Sequence, residues 1–299
     1  FFSPMSSRAV LAKWRPRRSV LYMPGSSLRP LEKARSGQLP ADTFVLDLED
    51  AVAPAAKAAA RDQVLAAVQK GGFGRSEVTV RVNGLETAWG AADLAMVREL
   101  PGLPPVVIPK VESPAQVLDV LQQLPRGNQV FCMLETPLGI LRAAAIAGAS
   151  ERIAALVMGT SDLTKDLQAR HTACRMPLWL SLQTCVLAAR AHGVAALDGV
   201  HLDLNNEEEF AEHCRQGRAM GFDGKTLIHP KTIAAANELF GVTAEEAMTA
   251  QRVVDVFAEA TKRGDGVAVL DGKLVESLHV EDAQRILALA AAANQSGAD

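Results

Sequence analysis

The sequence predicts an α/β fold, a (β/α)8 TIM barrel in which each of eight parallel strands is followed by a helix. Eight short apolar runs alternate with longer segments of helical periodicity along the chain. The runs are mostly continuous apolar stretches, as expected of parallel strands buried between a barrel interior and a layer of helices. No G-x-G-x-x-G motif follows any of these runs, which disfavours a dinucleotide-binding open sheet.

The elements follow one another in a regular order. Each predicted strand is a run of apolar and β-branched residues that ends next to a proline or a polar residue. The predicted strands are Ser19–Met23, Thr43–Leu48, Glu77–Val82, Pro105–Pro109, Gln129–Leu134, Ala154–Gly159, Leu197–Leu202 and Lys225–Ile228. Between them, apolar residues recur every three or four positions. The clearest helical segments are Pro54–Val68, Ala91–Leu100, Pro114–Leu124, Leu178–His192 and Glu207–Met220.

The segment after Gly241 exceeds what eight strand–helix units need. It contains a long amphipathic helix, Thr243–Arg263, a short strand, Val267–Leu270, and a final helix, His279–Asn294. We predict that this segment is a packing appendage or a lid over a barrel mouth, including that of a neighbouring subunit. The predicted organisation is a basic N-terminal lead-in over 1–18, a catalytic barrel over 19–241 and a C-terminal lid or oligomerisation extension over 242–299.

The composition excludes several classes of function. The formal net charge is −3 and aromatic residues make up 4% of the chain, so a basic field for nucleic acid and abundant stacking platforms are both missing. The apolar runs are too short or too interrupted to span a bilayer. We therefore predict a globular protein that acts on a small molecule and has no nucleic-acid or membrane partner.

Cysteine usage and the N-terminal segment bear on the compartment. The four cysteines form no C-x-x-C pair, which is typical of a protein in a reducing compartment. Together with an alanine-rich, lysine-poor composition, this favours the bacterial cytoplasm. The residues up to Arg18 include five basic side chains and no acid, so a transit-peptide remnant, and with it the mitochondrial matrix, is the alternative.

Polar residues follow the predicted strands, at the edge of the barrel where this fold carries its catalytic groups. In chain order they are Ser26, Ser27, Asp47, Glu49, Asp50, Arg81, Asn83, Lys110, Glu112, Glu135, Ser161, Asp162, Asp203 and His229. Singly, each has a structural explanation, such as a helix cap or a neutralising partner. Together they predict a metal or anion site, because charged groups beside apolar strands are costly unless they pair or bind something.

Glu135 and Asp162 are the predicted metal ligands. Two carboxylates from adjacent strands suit Mg²⁺, which binds oxygen ligands and leaves positions open for a substrate. Zinc favours histidine or cysteine, and the six histidines are not spaced as zinc ligands. Arg81 can then face negative charge that develops on a substrate oxygen. Without a nucleophilic serine or cysteine motif, this set predicts enolate chemistry, with carbon–carbon cleavage or formation beside a carbonyl as the leading case.

Seven motifs along the chain are similar to those of a known family. They are Arg18–Gly25 (RSVLYMPG), Leu46–Val52 (LDLEDAV) with Lys57 and Arg61, Val80–Gly84 (VRVNG), Pro109–Glu112 (PKVE), Glu135–Pro137 (ETP), Gly159–Asp162 (GTSD) and Gly221–Pro230 (GFDGKTLIHP). In this order and spacing, the chain resembles the citrate lyase β-subunit-like family, the acyl-CoA lyases of the HpcH/HpaI aldolase type. The resemblance runs from Arg17 to Ala293.

The resemblance implies a Mg²⁺-dependent barrel enzyme that assembles as a homotrimer or as a hexamer of two trimers. The implied substrates are 3-hydroxyacyl-CoA thioesters of the malyl-, citramalyl- or citryl-CoA type, which are cleaved to an acyl-CoA and a keto acid or formed from them. A malyl-CoA-type thioesterase and a citrate lyase β subunit working on an acyl-carrier partner are the alternatives. A CoA-free aldolase is a more remote one.

The matching positions also imply roles for single residues. Glu135 and Asp162 correspond to metal ligands, and Arg81 corresponds to an arginine that contacts the substrate and stabilises the thioester enolate. Asp47 and Glu49 correspond to acids that orient water or the arginine near the metal. The remaining implied substrate and CoA contacts are Lys33, Gly25 and Pro137.

The chain departs from the family pattern in its C-terminal segment. Family members carry an aspartate there, in a pattern like Gly-Lys-Met-Ile-Asp, as an acid or base for the active site of a neighbouring subunit. Residues 272–276 are Gly-Lys-Leu-Val-Glu, so the acid, Glu276, is one methylene longer. The resemblance makes Glu276 the candidate proton-transfer residue, either in a shifted pose or with a different substrate or a thioester hydrolysis.

Overall fold

The computed structural model describes residues 15–295, with side chains up to residue 293. Its larger unit, Arg17–Phe240, contains eight parallel strands. Each strand is hydrogen-bonded to the next along the chain, and the eighth pairs with the first, which closes the barrel. The predicted TIM barrel is therefore confirmed. Of the predicted lead-in over 1–18, residues 1–14 lie outside the described residues.

The barrel strands agree closely with the predicted ranges. They are β1 (Ser19–Pro24), β2 (Thr43–Asp47), β3 (Glu77–Arg81), β4 (Val106–Ile108), β5 (Val130–Leu134), β6 (Ile153–Met158), β7 (Ala195–Asp198) and β8 (Gly224–Leu227). All except β7 match their predictions within one residue at either end. This agreement follows from the abrupt change from apolar to polar residues at each strand end.

The seventh strand was predicted in the wrong place. β7 ends at Asp198, because the chain turns at Gly199, whose amide donates a hydrogen bond to Oδ1 of Asp198 (2.8 Å). The sequence analysis extended this strand over Leu197–Leu202 and took Asp203 as its polar end. Asp203 instead lies exposed in the following loop. The loop was mistaken for a strand because Val200 and Leu202 alternate with polar residues, although the loop forms no strand pairing.

Helices accompany the strands around the barrel. Those of the barrel unit are α1 (Leu28–Arg35), α2 (Lys57–Lys70), α3 (Gly90–Val97), α4 (Pro114–Gln123), α5 (Pro137–Leu141), α6 (Ala143–Ala147), α7 (Thr160–Asp166), α8 (Trp179–His192), α9 (Glu207–Met220) and α10 (Ile233–Leu239). All five predicted helical segments of the barrel are helical. Within the described residues, every helix falls short of the length or apolarity needed to cross a membrane.

The strand wall separates two apolar clusters. Val45, Phe131 and Met133 belong to a small inner cluster, whereas Phe44 and Cys132 belong to the large cluster that includes helix residues. Neighbouring residues of one strand enter different clusters because strand side chains alternate between the two faces of the sheet. The same alternation determines which residues at the strand ends point into the barrel.

The second unit includes the chain from Gly241 to the last described residue. It contains α11 (Ala244–Lys262), the antiparallel strands β9 (Ala268–Leu270) and β10 (Lys273–Val275), and α12 (Ser277–Gln295). A capping box of Thr243 and Glu246 starts α11, because each side chain accepts a hydrogen bond from the other residue's backbone amide. Both predicted helices are present, and β10, for which no strand was predicted, completes a hairpin with β9.

Candidate active site

The side chains that face the barrel interior are apolar along the strands and become charged at the C-terminal ends of the strands. Along β5, the inner residues Phe131 and Met133 are followed two residues later by Glu135. Along β2, Val45 is followed in the same way by Asp47. The barrel therefore gathers predicted site residues from separate strands at one mouth.

Asp47 and Arg81 form a buried bidentate pair between the ends of β2 and β3. Nε of Arg81 donates to Oδ1 of Asp47 (2.7 Å), and Nη2 donates to Oδ2 (2.6 Å). The same carboxylate accepts the backbone amides of Glu49 (2.9 Å) and Ala51 (3.1 Å). Asp47 thus holds both the Arg81 guanidinium and the acidic turn that follows β2.

Further contacts hold the guanidinium of Arg81, which is only 7% exposed. Its Nη1 lies 2.9 Å from Oε2 of Glu49, and its central carbon lies 4.8 Å from the centre of the Tyr22 ring. An arginine held by two carboxylates and an aromatic face has little freedom to move. This rigidity suits a group that must meet developing charge without reorganising.

Lys110 is a site residue to which the sequence analysis assigned no role. Its Nζ forms an ion pair with Glu49 and lies 3.6 Å from Oδ2 of Asp162. Its backbone has a φ of 49°, in the left-handed region that residues with a Cβ seldom adopt. That conformation directs the Lys110 amide at Oε1 of Glu135 (2.8 Å). The position after β4 was visible in the sequence, but this backbone geometry was not.

Glu135 is a buried carboxylate, 2% exposed, and no ion pair to it exists within residues 15–295. Burial raises its pKa to about 7, against the opposing effects of Lys110. A Cβ at position 159 would overlap the Glu135 side chain, so only glycine fits beside it. A buried acid whose hydrogen-bond donor is a neutral amide is suited to bind a cation.

Asp162 lies in the first turn of α7, and its side chain is 29% exposed. The ammonium group of Lys110 lies near it and also near Glu49, which shows that these acids accommodate a positive charge between them. Oxygen donors from Glu135 and Asp162, one buried and one open to solvent, have the chemistry of a Mg²⁺ site. The residues present therefore fit a hard divalent cation.

Two buried polar side chains donate hydrogen bonds to the backbone of the acidic turn that follows β2. Nζ of Lys57 donates to the backbone carbonyls of Leu48 (2.9 Å) and Glu49 (2.8 Å). The amide group of Asn83 donates to the same Leu48 carbonyl (2.8 Å) and to Asp93 (2.6 Å). These contacts explain why Lys57 and Asn83 belong to the motifs although neither was predicted to act on a substrate.

Gly25 and Pro137 occupy structurally demanding positions. A Cβ at Gly25 would lie 2.8 Å from the Asp47 carbonyl and 2.9 Å from the Val64 side chain. The Gly25 amide already donates to that carbonyl (2.8 Å). Pro137 is the first residue of α5, directly after the Thr136 N-cap. Both residues thus shape the ends of strands that carry site acids.

The contacts described above do not include the remaining predicted residues. Lys33 is exposed in the last turn of α1, and His229 is exposed where it caps the helical turn after β8. Glu276 belongs to the C-terminal unit, between β10 and α12. It is half-buried there, and its backbone amide donates to Nδ1 of His279 (3.0 Å).

A buried charge cluster beside the barrel wall was missed entirely. Asp198 and Lys225, at 0% exposure, are joined by a 3.0 Å ion pair. Arg175, a loop residue with a φ of 54°, forms a second ion pair with the same carboxylate, with its Nη1 2.7 Å from Oδ2 of Asp198. Although burial acts in the opposite direction, Lys225 and Arg175 hold the pKa of Asp198 below its usual value. The only sequence signal was the lysine within the Gly221–Pro230 motif.

Fold and site together define the class of protein. The chain belongs to the HpcH/HpaI aldolase/citrate lyase family, whose sequence model matches residues 18–230. The match covers the barrel from the first strand to the end of the last motif, and it confirms the family resemblance drawn from the seven motifs.

Individual relatives cover nearly the whole chain. A (3S)-malyl-CoA thioesterase of Cereibacter sphaeroides is 45% identical over 283 residues, which are 95% of this chain and 98% of that protein. Citrate lyase subunit beta of Escherichia coli is 35% identical and spans 93% of this chain and 94% of its own. The structure of CitE from Mycobacterium tuberculosis in complex with magnesium, acetoacetate and coenzyme A has a TM-score of 0.74 at 30% identity, covering 92% of this chain and 98% of that one.

Proposed function

We propose that this protein is a Mg²⁺-dependent CoA-ester lyase, which reversibly cleaves a 3-hydroxy dicarboxylic or tricarboxylic acyl-CoA of the malyl-, citramalyl- or citryl-CoA type. The products are an acyl-CoA and a keto acid. The observation that carries the proposal is the Arg81 guanidinium, held by Asp47 and Glu49 at the barrel mouth that also holds the carboxylates of Glu135 and Asp162. The magnesium, acetoacetate and coenzyme A in the CitE complex support it.

The proposed roles follow from the charges of the mouth. Glu135 and Asp162 would hold Mg²⁺, which supplies Lewis-acid polarisation of a keto-acid carbonyl. Arg81 stabilises the negative charge on the enolate oxygen of the acyl-CoA, in an orientation that Asp47 sets in advance. Glu49 and Lys110 complete the charge balance around that position. Glu276 of a neighbouring subunit transfers the proton to or from the α-carbon of the acyl-CoA, next to the thioester carbonyl.

Two alternatives each have a specific observation behind them. Thioester hydrolysis is favoured by the thioesterase name of the relative with 45% identity and by the glutamate at position 276. Action on an acyl-carrier partner is favoured by the similarity to citrate lyase subunit beta. Both alternatives would use the same barrel mouth.

Product analysis separates these functions. Malyl-, citramalyl- and citryl-CoA are each incubated with the full chain in Mg²⁺ and then in EDTA. A keto acid with a shorter acyl-CoA, both lost on chelation, is the expected result. Free CoA with an intact hydroxy acid would replace the lyase by the thioesterase. Turnover only when the acyl group is carried on a carrier protein would support the citrate lyase subunit.

The proposal extends to assembly, CoA contacts and compartment. A homotrimer or hexamer is expected in sedimentation, because Glu276 would serve a neighbouring subunit. Lys33, Gly25 and Pro137 are the proposed further contacts of the substrate and CoA. The bacterial cytoplasm is the proposed compartment, with the mitochondrial matrix as the alternative, and it is supported by three buried thiols among four unpaired cysteines.

A further inference from the structure

We propose that His201, Glu209 and His213 form a second metal site, for a transition-metal cation such as Zn²⁺, between the loop after β7 and α9. One ligand atom from each of the three residues lies within 4.8 Å of the others. Glu209 and His213 are one turn apart on α9, and His201 comes from the loop. The site is separate from the proposed function and involves none of its residues.

The two imidazoles face each other through their Nδ1 atoms, which are 3.3 Å apart. A tetrahedral zinc ion with Zn–N bonds of about 2.05 Å separates two nitrogen ligands by about 3.3 Å. The observed spacing is therefore already that of two ligands of one ion. Oε1 of Glu209 lies 3.6 Å from Nε2 of His213, the ring nitrogen on the side away from the Nδ1 pair. The Glu209 side chain therefore has to turn towards the Nδ1 atoms to complete a His₂Glu set, which the 4.8 Å limit on the ligand-atom separations makes a short movement.

Hydrogen bonding determines the tautomers of both rings. Nε2 of His213 contacts the carbonyl of Ala173 (3.1 Å), which can only accept, so this nitrogen carries the proton. Nδ1 of a neutral His213 is then an acceptor, and Nδ1 of His201 must donate to it. Nε2 of His201 is left as a lone pair, and it is buried with no hydrogen-bond partner.

Nε2 of His201 can accept the proton that would otherwise block the two Nδ1 atoms from binding a cation. When the proton between the Nδ1 atoms moves to Nε2 of His201, both Nδ1 lone pairs become free and neither ring changes charge. The bond from His213 to Ala173 persists and orients the ring, as outer hydrogen bonds do at metal sites.

The surroundings keep both rings neutral. Each histidine is only 8% exposed, and burial, together with the charges of Lys225 and Arg175, lowers the pKa of His213 to about 4. Burial also lowers the pKa of His201. Neutral imidazole is the form that binds metal, and nitrogen ligands favour Zn²⁺ over Mg²⁺.

The sequence analysis found no zinc spacing among the histidines. The separation of twelve positions between His201 and His213 matches no local ligand pattern. Only the return of α9 along the β7 loop brings them together, and Nη2 of Arg175 holds the His213 carbonyl there (3.1 Å). An ion at this point would tie the loop after β7 to α9.

Zinc titration of the full chain tests the proposal. Chelator-treated, dialysed protein is titrated with Zn²⁺ in excess Mg²⁺, so that oxygen-ligand sites are filled. We expect one tightly held equivalent of zinc by elemental analysis, and visible absorption typical of tetrahedral coordination when Co²⁺ replaces it. His201→Asn, His213→Asn and Glu209→Gln should each weaken binding at least about tenfold.

Controls separate this site from the others. His171→Asn and Cys174→Ser remove exposed potential ligands of the adjoining loop and should leave the stoichiometry at one. Glu135→Gln should also keep the zinc, even where it removes turnover. Loss of the zinc site and loss of the proposed lyase activity can therefore be told apart. No zinc equivalent in the wild type, or full binding in the cluster variants, would overturn the site. If the histidine variants do not fold, Glu209→Gln and the Co²⁺ spectrum decide.

Discussion

At the residue scale, three neighbouring side chains hold Arg81 at the barrel mouth. It combines a bidentate bond to Asp47, an ion pair with Glu49 and a stacked position over Tyr22. A lysine at this position keeps the charge but cannot form the two parallel bonds. The geometry of the guanidinium, and not only its charge, is therefore the property to test.

Arg81→Lys is expected to lower kcat about 100- to 1000-fold, the usual effect of losing one preorganised donor to a developing oxyanion. Steady-state kinetics on the substrate identified by product analysis measure this loss. Arg98→Lys, on the exposed surface, serves as the matched control and should leave kcat unchanged. A variant with wild-type kcat would remove Arg81 from the transition state.

Glu135→Gln tests the metal-ligand assignment at the same scale. The amide keeps the shape and can still accept the Lys110 amide, so the fold should persist, while Mg²⁺-dependent turnover should fall more than about 100-fold. Glu99→Gln, on the exposed surface, is the control. Turnover at the usual Mg²⁺ concentration in Glu135→Gln would contradict the assignment, and circular dichroism would verify folding.

At the scale of elements, the Asp198–Lys225 pair ties β7 to β8, and Arg175 attaches the loop before α8 to the same carboxylate. Because Asp198 pairs with both Lys225 and Arg175, removal of the carboxylate leaves the fully buried Lys225 ammonium without its ion-pair partner, whereas removal of Lys225 leaves Asp198 still paired with Arg175. The cluster thus links the two strands at the one barrel strand whose bounds the sequence predicted wrongly.

Asp198→Asn is expected to lower the free energy of unfolding by about 3–5 kcal/mol, because the fully buried Lys225 ammonium loses the carboxylate that neutralises it. Urea denaturation measures the change, and the Asp198→Asn/Lys225→Met double variant should lose less than the sum of the single variants. Lys262→Met, from an exposed pair with Glu259, should leave the midpoint unchanged. Additive losses would mean that the two buried side chains are not coupled.

At the scale of the whole molecule, the proposed reaction draws on both units of the chain. Arg81, Glu135 and Asp162 belong to the barrel unit, whereas Glu276 belongs to the C-terminal unit. A reaction that needs groups from both units should depend on assembly as well as on the barrel. Proton transfer is therefore the step through which the C-terminal unit can be tested.

Glu276→Ala is expected to lower kcat about 100- to 10,000-fold, the range for loss of a general acid or base, with little change in binding of the CoA ester. Kinetics and equilibrium binding of the ester separate these effects. Glu281→Ala, an exposed acid on α12, is the control. Equal rates in Glu276→Ala and the wild type would exclude this glutamate from the mechanism.

The sequence alone determined the barrel and the order of its strand ends. The short apolar runs that stop at Glu135 or next to Asp47 are local signals. Because strand side chains alternate between the two faces of the sheet, the same runs also indicate which strand-end residues face the barrel interior. Both predicted helices of the C-terminal unit were equally readable, because amphipathic periodicity is also local. Motif order was enough to identify the family.

Only the tertiary structure decided the rest. The left-handed backbone of Lys110, the early end of β7 at Asp198 and the meeting of His201 with His213 depend on contacts between residues far apart in the chain. Local propensity does not encode such contacts, since a residue's pattern is the same whether or not a distant partner reaches it. The strand ends were therefore predictable, whereas the side-chain pairs formed across the fold were not.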